Sequence, residues 1–469
     1  MSDWEPVIGL EIHVQLKTRT KMFCRCENVY LAREDRNTRT CPICLAHPGT
    51  LPVPNRKAIE WTVKLGLALG CEIAPRALFH RKHYWYPDLP KGYQISQYDV
   101  PLCSEGNFVL PTEDGDREIG IVRAHLEEDA ARTEHFGGVG GRIAGAEHSL
   151  VDFNRGGTPL VEVVTKPDVR SPDEARRFLQ LLRQTVVELG ISDAEMEKGS
   201  LRCDANVSIR RAGETGFRTK TELKNINSFK FVADGIAAEL ARQEAAYERG
   251  EEITQDTMHY DPSTGTVEPL RSKEYADDYR YFPEPDLVPV EPPQEMIEAM
   301  RTELGELPGA RIRRFEPEIG LDLAEGLVTS GRDALYARVP GDRRVVANVL
   351  MNQFAAAGID PEGVNAEELG KVIEARDTIP RATFDEAIAA SGNGDFSAER
   401  YLGETVIADA SELDPVIDSV ISANEAQVAS FKAGKEGVLG YLVGQVMKAT
   451  EGKANPKVVN ERLREKLRE

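Results

Sequence analysis

The 469-residue sequence has no charge-free apolar run long enough to span a bilayer. Its opening, MSDWEP, lacks the basic and apolar regions of a secretory leader. A cytoplasmic protein with no membrane partner is therefore expected. Basic residues are in deficit: 58 Lys and Arg stand against 78 Asp and Glu, a net charge of −20. That excludes a protein that coats nucleic acid with its whole surface, though not one with a local basic footprint. Cysteine is scarce, seven in all, and in the cytosol these are expected as metal ligands or buried thiols rather than disulfides. No GxxxxGKS or GxxxxGKT occurs, so a nucleotide site here is not a P-loop. Internal repeats and low-complexity tracts are absent too. The remaining composition, 41% hydrophobic and 29% charged, is that of a globular chain too long for one core, so two to four domains are expected.

The chain is organised around VIGLEIHVQL, residues 7–16. Ile8, Leu10, Ile12, Val14 and Leu16 share one face of a strand, and Gly9, Glu11, His13 and Gln15 the other. The apolar face needs a core; the opposite face sets a carboxylate and an imidazole where both can reach one cation or phosphate-bearing ligand. A wet strand face accounts for the pattern equally well. The stretch to about residue 292 reads as α+β. Helices are expected at about Asn55–Leu69, after SPDE at 171–174 with Ser171 as cap, Pro172 in the first turn and Glu174 completing a capping box, and at about Phe229–Arg249. PEPDLVPVEPP, 283–293, is proline-dense and places a domain boundary at 292/293. Beyond it the strand signal stops. Short amphipathic helices such as Arg343–Ala357 and Ala366–Ala375 fill 293–405, and more helices fill 406–469. From Ser430 onward nine basic residues face five acidic ones, a local excess on an acidic chain.

Cys24-x-Cys26 followed by Cys41-Pro-Ile-Cys44 has the spacing of a four-thiolate zinc site, closed and hence structural. Cys71, Cys103 and Cys203 lack sequence partners and read as core thiols. HRKHYWYPDLPKGYQISQY, 80–98, fits a loop that stacks on a base or ribose, with Arg81, Lys82 or Lys91 on phosphate. It fits a self-packed surface loop just as well. The acidic group Glu127, Glu128 and Asp129 precedes a glycine-rich connection, FGGVGGRIAGA, that matches no phosphate-binding fingerprint. In 149–168 two apolar segments pair around the turn Asn154-Arg155-Gly156-Gly157. Glu162 lies inside the second, where its carboxylate needs a cation, a basic partner or a wet edge. Residues 200–210 alternate Leu201, Cys203, Ala205, Val207 and Ile209 against Ser200, Arg202, Asp204, Asn206 and Ser208, and 219–225 puts Lys220, Glu222 and Lys224 on one side. With the opening strand these form a polar floor suited to ATP with Mg²⁺, or else a solvated sheet face.

Taken together, VIGLEIHVQL, YWYPDLPKGYQISQ, LEEDA, LVDFNRGGTPLVEVVTKPD, GSLRCDANVSIR, TELKNINSF, DDYRYFPEPDL and the tail stretch GYLVGQVMKATEGKANPKVVNERL resemble the GatB family of tRNA-dependent amidotransferase subunits. The resemblance covers nearly all of 1–292 and 430–465, and only loosely the helices between. It implies an α+β, mainly antiparallel cradle domain (1–292) followed by two all-α domains, a helical domain (293–405) and a tRNA-binding tail (406–469). It also implies partnership with GatA, a glutaminase, and GatC, and conversion of Glu-tRNA(Gln) or Asp-tRNA(Asn) to the amide with ATP, Mg²⁺ and a structural Zn²⁺. By position, the family's metal ligands and catalytic residues fall on Glu11, His13, Glu128 and Glu162. For Glu128 this requires the strand through 119–128 to end or bulge first, because a regular strand places it with Val122, Ala124 and Leu126. Arg155, Lys198 and Arg202 are the candidates for nucleotide phosphates, or else structural ion-pair partners. Lys435, Lys448, Lys453 and Lys457 are the candidates for the tRNA backbone, or else a solvated helix face. A non-catalytic tRNA-binding scaffold and a stand-alone ligase are the competing readings.

Overall fold

The computed structural model describes residues 3–29, 33–137, 145–272, 279–403, 410–432, 434–450 and 452–468. Most of the glycine-rich connection and the start of DDYRYFPEPDL lie outside the described residues, as does the 405/406 boundary. The chain divides into two compact units, Met1–Ala310 and Arg311–Glu469.

The first unit carries fourteen strands among the described residues: β1 (Trp4–Gln15), β2 (Glu72–Ile73), β3 (His80–His83), β4 (Tyr93–Ser96), β5 (Cys103–Thr112), β6 (Gly115–Glu128), β7 (Arg132–Phe136), β8 (His148–Asp152), β9 (Pro159–Thr165), β10 (Leu201–Arg211), β11 (Thr221–Ile226), β12 (Asp256–Asp261), β13 (Thr266–Ser272) and β14 (Phe282–Pro283). Nine form one sheet in the order β13-β12-β11-β10-β1-β9-β6-β5-β2. Its pairings are antiparallel except β11 with β12. That parallel pair needs a crossover, and the helix Phe229–Glu248 provides it. β1 is central, as its alternation requires: Ile8, Leu10, Ile12, Val14 and Leu16 are all buried. Leu201, Cys203, Ala205, Val207 and Ile209 of β10 continue the same core, and Cys71, Cys103 and Cys203 are buried thiols.

Local signals set the helices. Asn55 caps Arg56–Ala68 by accepting from the amides of Lys57 and Ala58. Ser171 caps Pro172–Glu188 with proline in the first turn, and Ser228 caps Phe229–Glu248. Glu174 does not close a capping box on Ser171; its carboxylate accepts instead from the amide of Arg170, at 2.7 Å.

Two further sequence expectations differ from the structure. The segments around Asn154–Gly157 do not pair with each other. Both edges of β9 are taken by β1 and β6, so β8 forms a separate two-stranded ribbon with β7, and the turn carries the chain between sheets. The proline-dense stretch 283–293 is no free linker either. The Glu284 amide bonds Phe79 O, the Arg81 guanidinium grips the Glu284 carboxylate at 2.7 and 2.8 Å, and Val290 bridges Ala77. The first unit therefore runs past residue 292 and takes in the helix Gln294–Glu303, which packs on Arg56–Ala68 through the buried Ile297.

The second unit is helical throughout its described residues. The expected Arg343–Ala357 helix runs from Arg343 to Val349 and relaxes into a π-helical turn, Leu350–Phe354. The final helices close on Leu413, Ile417, Leu442, Val446, Val459 and Leu463. Arg462 clamps Asp414 at 2.7 and 2.8 Å, and Lys466 bonds Asp418 at 2.6 Å. None of the described helices is long and apolar enough to cross a membrane.

Candidate functional site

Register across three central strands builds the site. His13 of β1 lies opposite Glu162 of β9, and Glu162 lies opposite His125 of β6. The Glu162 carboxylate is thus flanked by imidazoles, 3.6 Å from His13 Nε2 and 3.4 Å from His125 Nε2. Two residues along β6, Glu127 brings its Oε1 to 3.5 Å from His13 Nε2. Donor atoms of His13, Glu127 and Glu162 lie within 4.8 Å of one another.

The electrostatics of this group follow from its burial and its charged neighbours. Burial pushes Glu162 up, but the neighbouring His125, His13 and Lys82 outweigh it and hold its pKa at about 2. Burial and the facing Glu162 raise Glu127. Burial drops His125 to about 4, so it is neutral at pH 7, and its Nδ1 is buried without a hydrogen-bond partner. Two enclosed carboxylates therefore compete beside neutral imidazole, an arrangement that a divalent cation relieves. Two carboxylate oxygens and one imidazole nitrogen form a donor set that could hold a divalent cation.

Glu128 is not in this group, and the reason is register. β6 does bulge, but at Ile121–Arg123. From Arg123 the pairing is regular through Glu128, so Glu128 stays on the Ala124 and Leu126 side and Glu127 falls with His125. The Glu128 carboxylate is bonded by Lys91 Nζ and, at 3.1 Å, by the Ile95 amide. Glu127 and His125 are thus the residues that sequence reasoning missed; the alternation of HLEE was the available signal.

Glu11 shares the floor but not the donor group. Its Oε1 accepts from Asn206 Nδ2 at 2.8 Å, and its strand neighbour is Asp204. Asp204 accepts from Lys224 Nζ at 2.8 Å, and Glu222 lies 3.5 Å from the same ammonium. The polar faces of β1, β10 and β11 therefore lie side by side, as their alternation foretold.

Arg155, Lys198 and Arg202 all line one cavity of about 790 Å³, together with Gln15, Lys17 and Asn154. Each also has a partner within the protein. Arg202 Nη2 donates to Asp129 Oδ2 at 3.1 Å, and Arg155 Nε lies 3.6 Å from the same oxygen while the guanidinium bonds the carbonyls of Ala130 and Ala131. Lys198 pairs with Glu195 at 2.8 Å. Burial alone would raise Asp129, but the two guanidinium groups and a 2.8 Å bond from Gln15 keep it low and ionised. Arg202, which lines this cavity, also lies near enough to Glu127 for its charge to act on that carboxylate.

The four sulfur atoms of Cys24, Cys26, Cys41 and Cys44 lie within 4.8 Å of one another, a set fit for tetrahedral zinc. The bond from the Cys24 thiol, with help from Lys21, holds Cys44 at about 5. Lys21 Nζ reaches Cys44 Sγ at 3.9 Å and Phe153 O at 3.0 Å. The cysteine loop is thereby fixed to the turn that bears Arg155. Asn154 Oδ1 accepts from the Arg39 amide at 2.7 Å, and Thr158 Oγ1 donates to Asn28 Oδ1 at 3.0 Å. Gly157 permits the turn, with φ +86°, a backbone conformation that glycine adopts without strain.

In the tail, Lys435, Lys448, Lys453 and Lys457 are exposed and form no ion pair among the described residues.

Residues 6–298 match the GatB/GatE catalytic domain family, and residues 339–467 match the GatB domain family. The chain belongs to the GatB family. The GatB subunit of an aspartyl/glutamyl-tRNA(Asn/Gln) amidotransferase from Moorella thermoacetica is 46% identical, over 99% of this chain and 100% of that protein. Proteins of the same name from Geotalea daltonii and Syntrophotalea carbinolica are 45% and 43% identical, each over 99% of both chains. GatB membership thus extends over both units, and the second match begins well after residue 293 and spans the helical and tail segments together.

Proposed function

We propose that this chain works as the GatB component of a tRNA-dependent amidotransferase, and that its first unit activates a tRNA-bound carboxylate with ATP and amidates it. Family membership and near-full-length identity to subunits of that name support the role. The observation that carries the chemistry is the convergence of His13, Glu127 and Glu162 beside a basic cavity.

A carboxylate is a poor electrophile until its oxygen becomes a leaving group. In this reading the γ-phosphoryl group of ATP passes to a side-chain carboxylate oxygen of Glu-tRNA(Gln) or Asp-tRNA(Asn), releasing ADP. Ammonia then attacks the carbonyl carbon, phosphate leaves with the C–O electron pair, and a proton is lost from nitrogen. His13, Glu127 and Glu162 would hold Mg²⁺, which supplies charge neutralisation at the phosphates. Arg202 and Arg155, tethered by Asp129, would meet phosphate oxygens with little reorganisation, and Lys198, which lines the same cavity, would join them. Glu11 and Asn206 form the adjoining wall. The four cysteines would hold zinc as a brace. Ammonia must arrive unprotonated, which favours delivery from a glutaminase partner, GatA, with GatC completing a heterotrimer. The exposed tail lysines 435, 448, 453 and 457 would neutralise tRNA phosphates.

The test is to co-express the chain with GatA and GatC and to supply each misacylated tRNA with ATP and glutamine. Amidated aminoacyl-tRNA formed in step with ADP is the expected result. A complex that binds tRNA but forms no amide with either substrate would instead support the scaffold reading.

A further inference from the structure

A second hollow, about 640 Å³, lies in the same unit and shares no lining residue with the basic cavity. Its walls are Tyr84, Trp85, Tyr86, Tyr279, Arg280 and Phe282. A self-packed aromatic loop would hide its rings, but Trp85 is 81% exposed, and Tyr86 and Phe282 are also exposed. The indole is seated where a side chain at Gly92 would block it: a Cβ there would stand 2.7 Å from the ring. Arg280 lines the hollow, and two more cations lie against rings of its wall. Lys82 Nζ sits 4.7 Å from the Tyr279 centroid, and the Arg81 guanidinium sits 5.7 Å from that of Phe282. Several of these rings pack on one another, Phe282 stacking on His83 and Tyr84 meeting Tyr86 and Tyr279 edge-on, so Trp85 is the ring most open to a ligand. An exposed indole beside positive charge is the recognition chemistry of unpaired nucleotides.

The back of this cleft meets the acidic row. Tyr84 donates to Gln94 Oε1 at 3.3 Å, and Gln94 donates to the carbonyl of Glu128 at 2.7 Å. Burial and the charges of Glu127, Asp129 and Glu128 raise the Tyr84 hydroxyl. A carboxylate that reacts at His13, Glu127 and Glu162 while esterified to a terminal ribose requires room for that ribose and its base next to the cluster. The basic cavity is suited to a triphosphate, and the aromatic cleft, joined to Glu128 through Tyr84 and Gln94, has the size and the rings for a base.

We propose that the cleft walled by Trp85, Tyr86, Tyr279 and Phe282 stacks the unpaired 3′-terminal nucleotides of the aminoacyl-tRNA, with Lys82 and Arg280 near their phosphates. This inference rests on the amidotransferase reading above. Its test is a binding cycle on the assembled complex, using uncharged tRNA either intact or trimmed of its unpaired 3′ nucleotides. Wild type binds intact tRNA about tenfold more tightly than trimmed, the size of one base–aromatic stack. Trp85→Ala abolishes that preference, and Trp85→Phe restores most of it. A full preference retained in Trp85→Ala overturns the proposal. So does weakened ATP binding with the tRNA preference intact, which would give the cleft to the adenine of ATP. A wild-type complex that makes no amide overturns the functional reading itself, whereas an active complex whose preference survives Trp85→Ala overturns only the cleft.

Discussion

Glu127 and Glu128 differ by one position and by a strand face, and their substitutions separate accordingly. Glu128 and Lys91 are both largely enclosed. Removing one member of such a pair strands the other charge and typically costs roughly 3–5 kcal/mol. Glu128→Ala is therefore expected to destabilise the first unit by about that amount. Glu127→Ala removes a buried carboxylate that faces another, so it is expected to change stability by no more than about 1 kcal/mol. Urea denaturation followed by tryptophan fluorescence measures both, because Trp4, Trp61 and Trp85, the three tryptophans of the chain, all lie in that unit. Equal losses for the two variants would contradict the assignment. At this scale the sequence was legible wherever one period ruled. The alternation of Val7–Leu16 placed His13, and the same alternation through His125-Leu-Glu-Glu favours Glu127. What it lacked was the position of the bulge, which depends on how β6 meets β9 rather than on either strand alone.

Among elements, the cysteine loop and the Asn154–Gly157 turn behave as one piece. Lys21 bridges Cys44 and Phe153, and Asn28, Arg39 and Asn154 complete the connection. If zinc braces this assembly, its removal loosens the support of Arg155 without touching the carboxylate cluster. Chelation, or Cys41→Ser with Cys44→Ser, is expected to speed amide exchange over residues 153–158 and to weaken ATP binding several-fold. Hydrogen-exchange mass spectrometry with nucleotide titration checks both. Unchanged exchange in that segment would show that the loop is not its support. Caps and thiolate spacing announced these elements because each is a local device: Asn55, Ser171 and Ser228 satisfy amides within three residues. Pairing partners were less legible. The turn after Asp152 has the residues of a hairpin, yet β9 is taken on both edges. The proline-dense stretch 283–293 has the composition of a linker, yet Arg81, about two hundred residues earlier, binds it into the first unit.

For the molecule as a whole, the strand order β10-β1-β9-β6 is what turns scattered residues into a site. His13, Glu127, Glu162 and Arg202 sit on four different strands, and no short motif contains two of them. Resemblance to GatB located that neighbourhood; packing of the sheet decided which side chains enter it. The helical unit contributes exposed lysines whose positive charge the acidic remainder does not share. The most direct measurement of the central claim is tRNA-dependent release of phosphate from ATP by the assembled complex carrying Glu127→Gln or Glu162→Gln. The account predicts a fall of at least about 100-fold, the scale of losing a catalytic electrostatic contact, with tRNA affinity retained; near-wild-type turnover in either variant would contradict it.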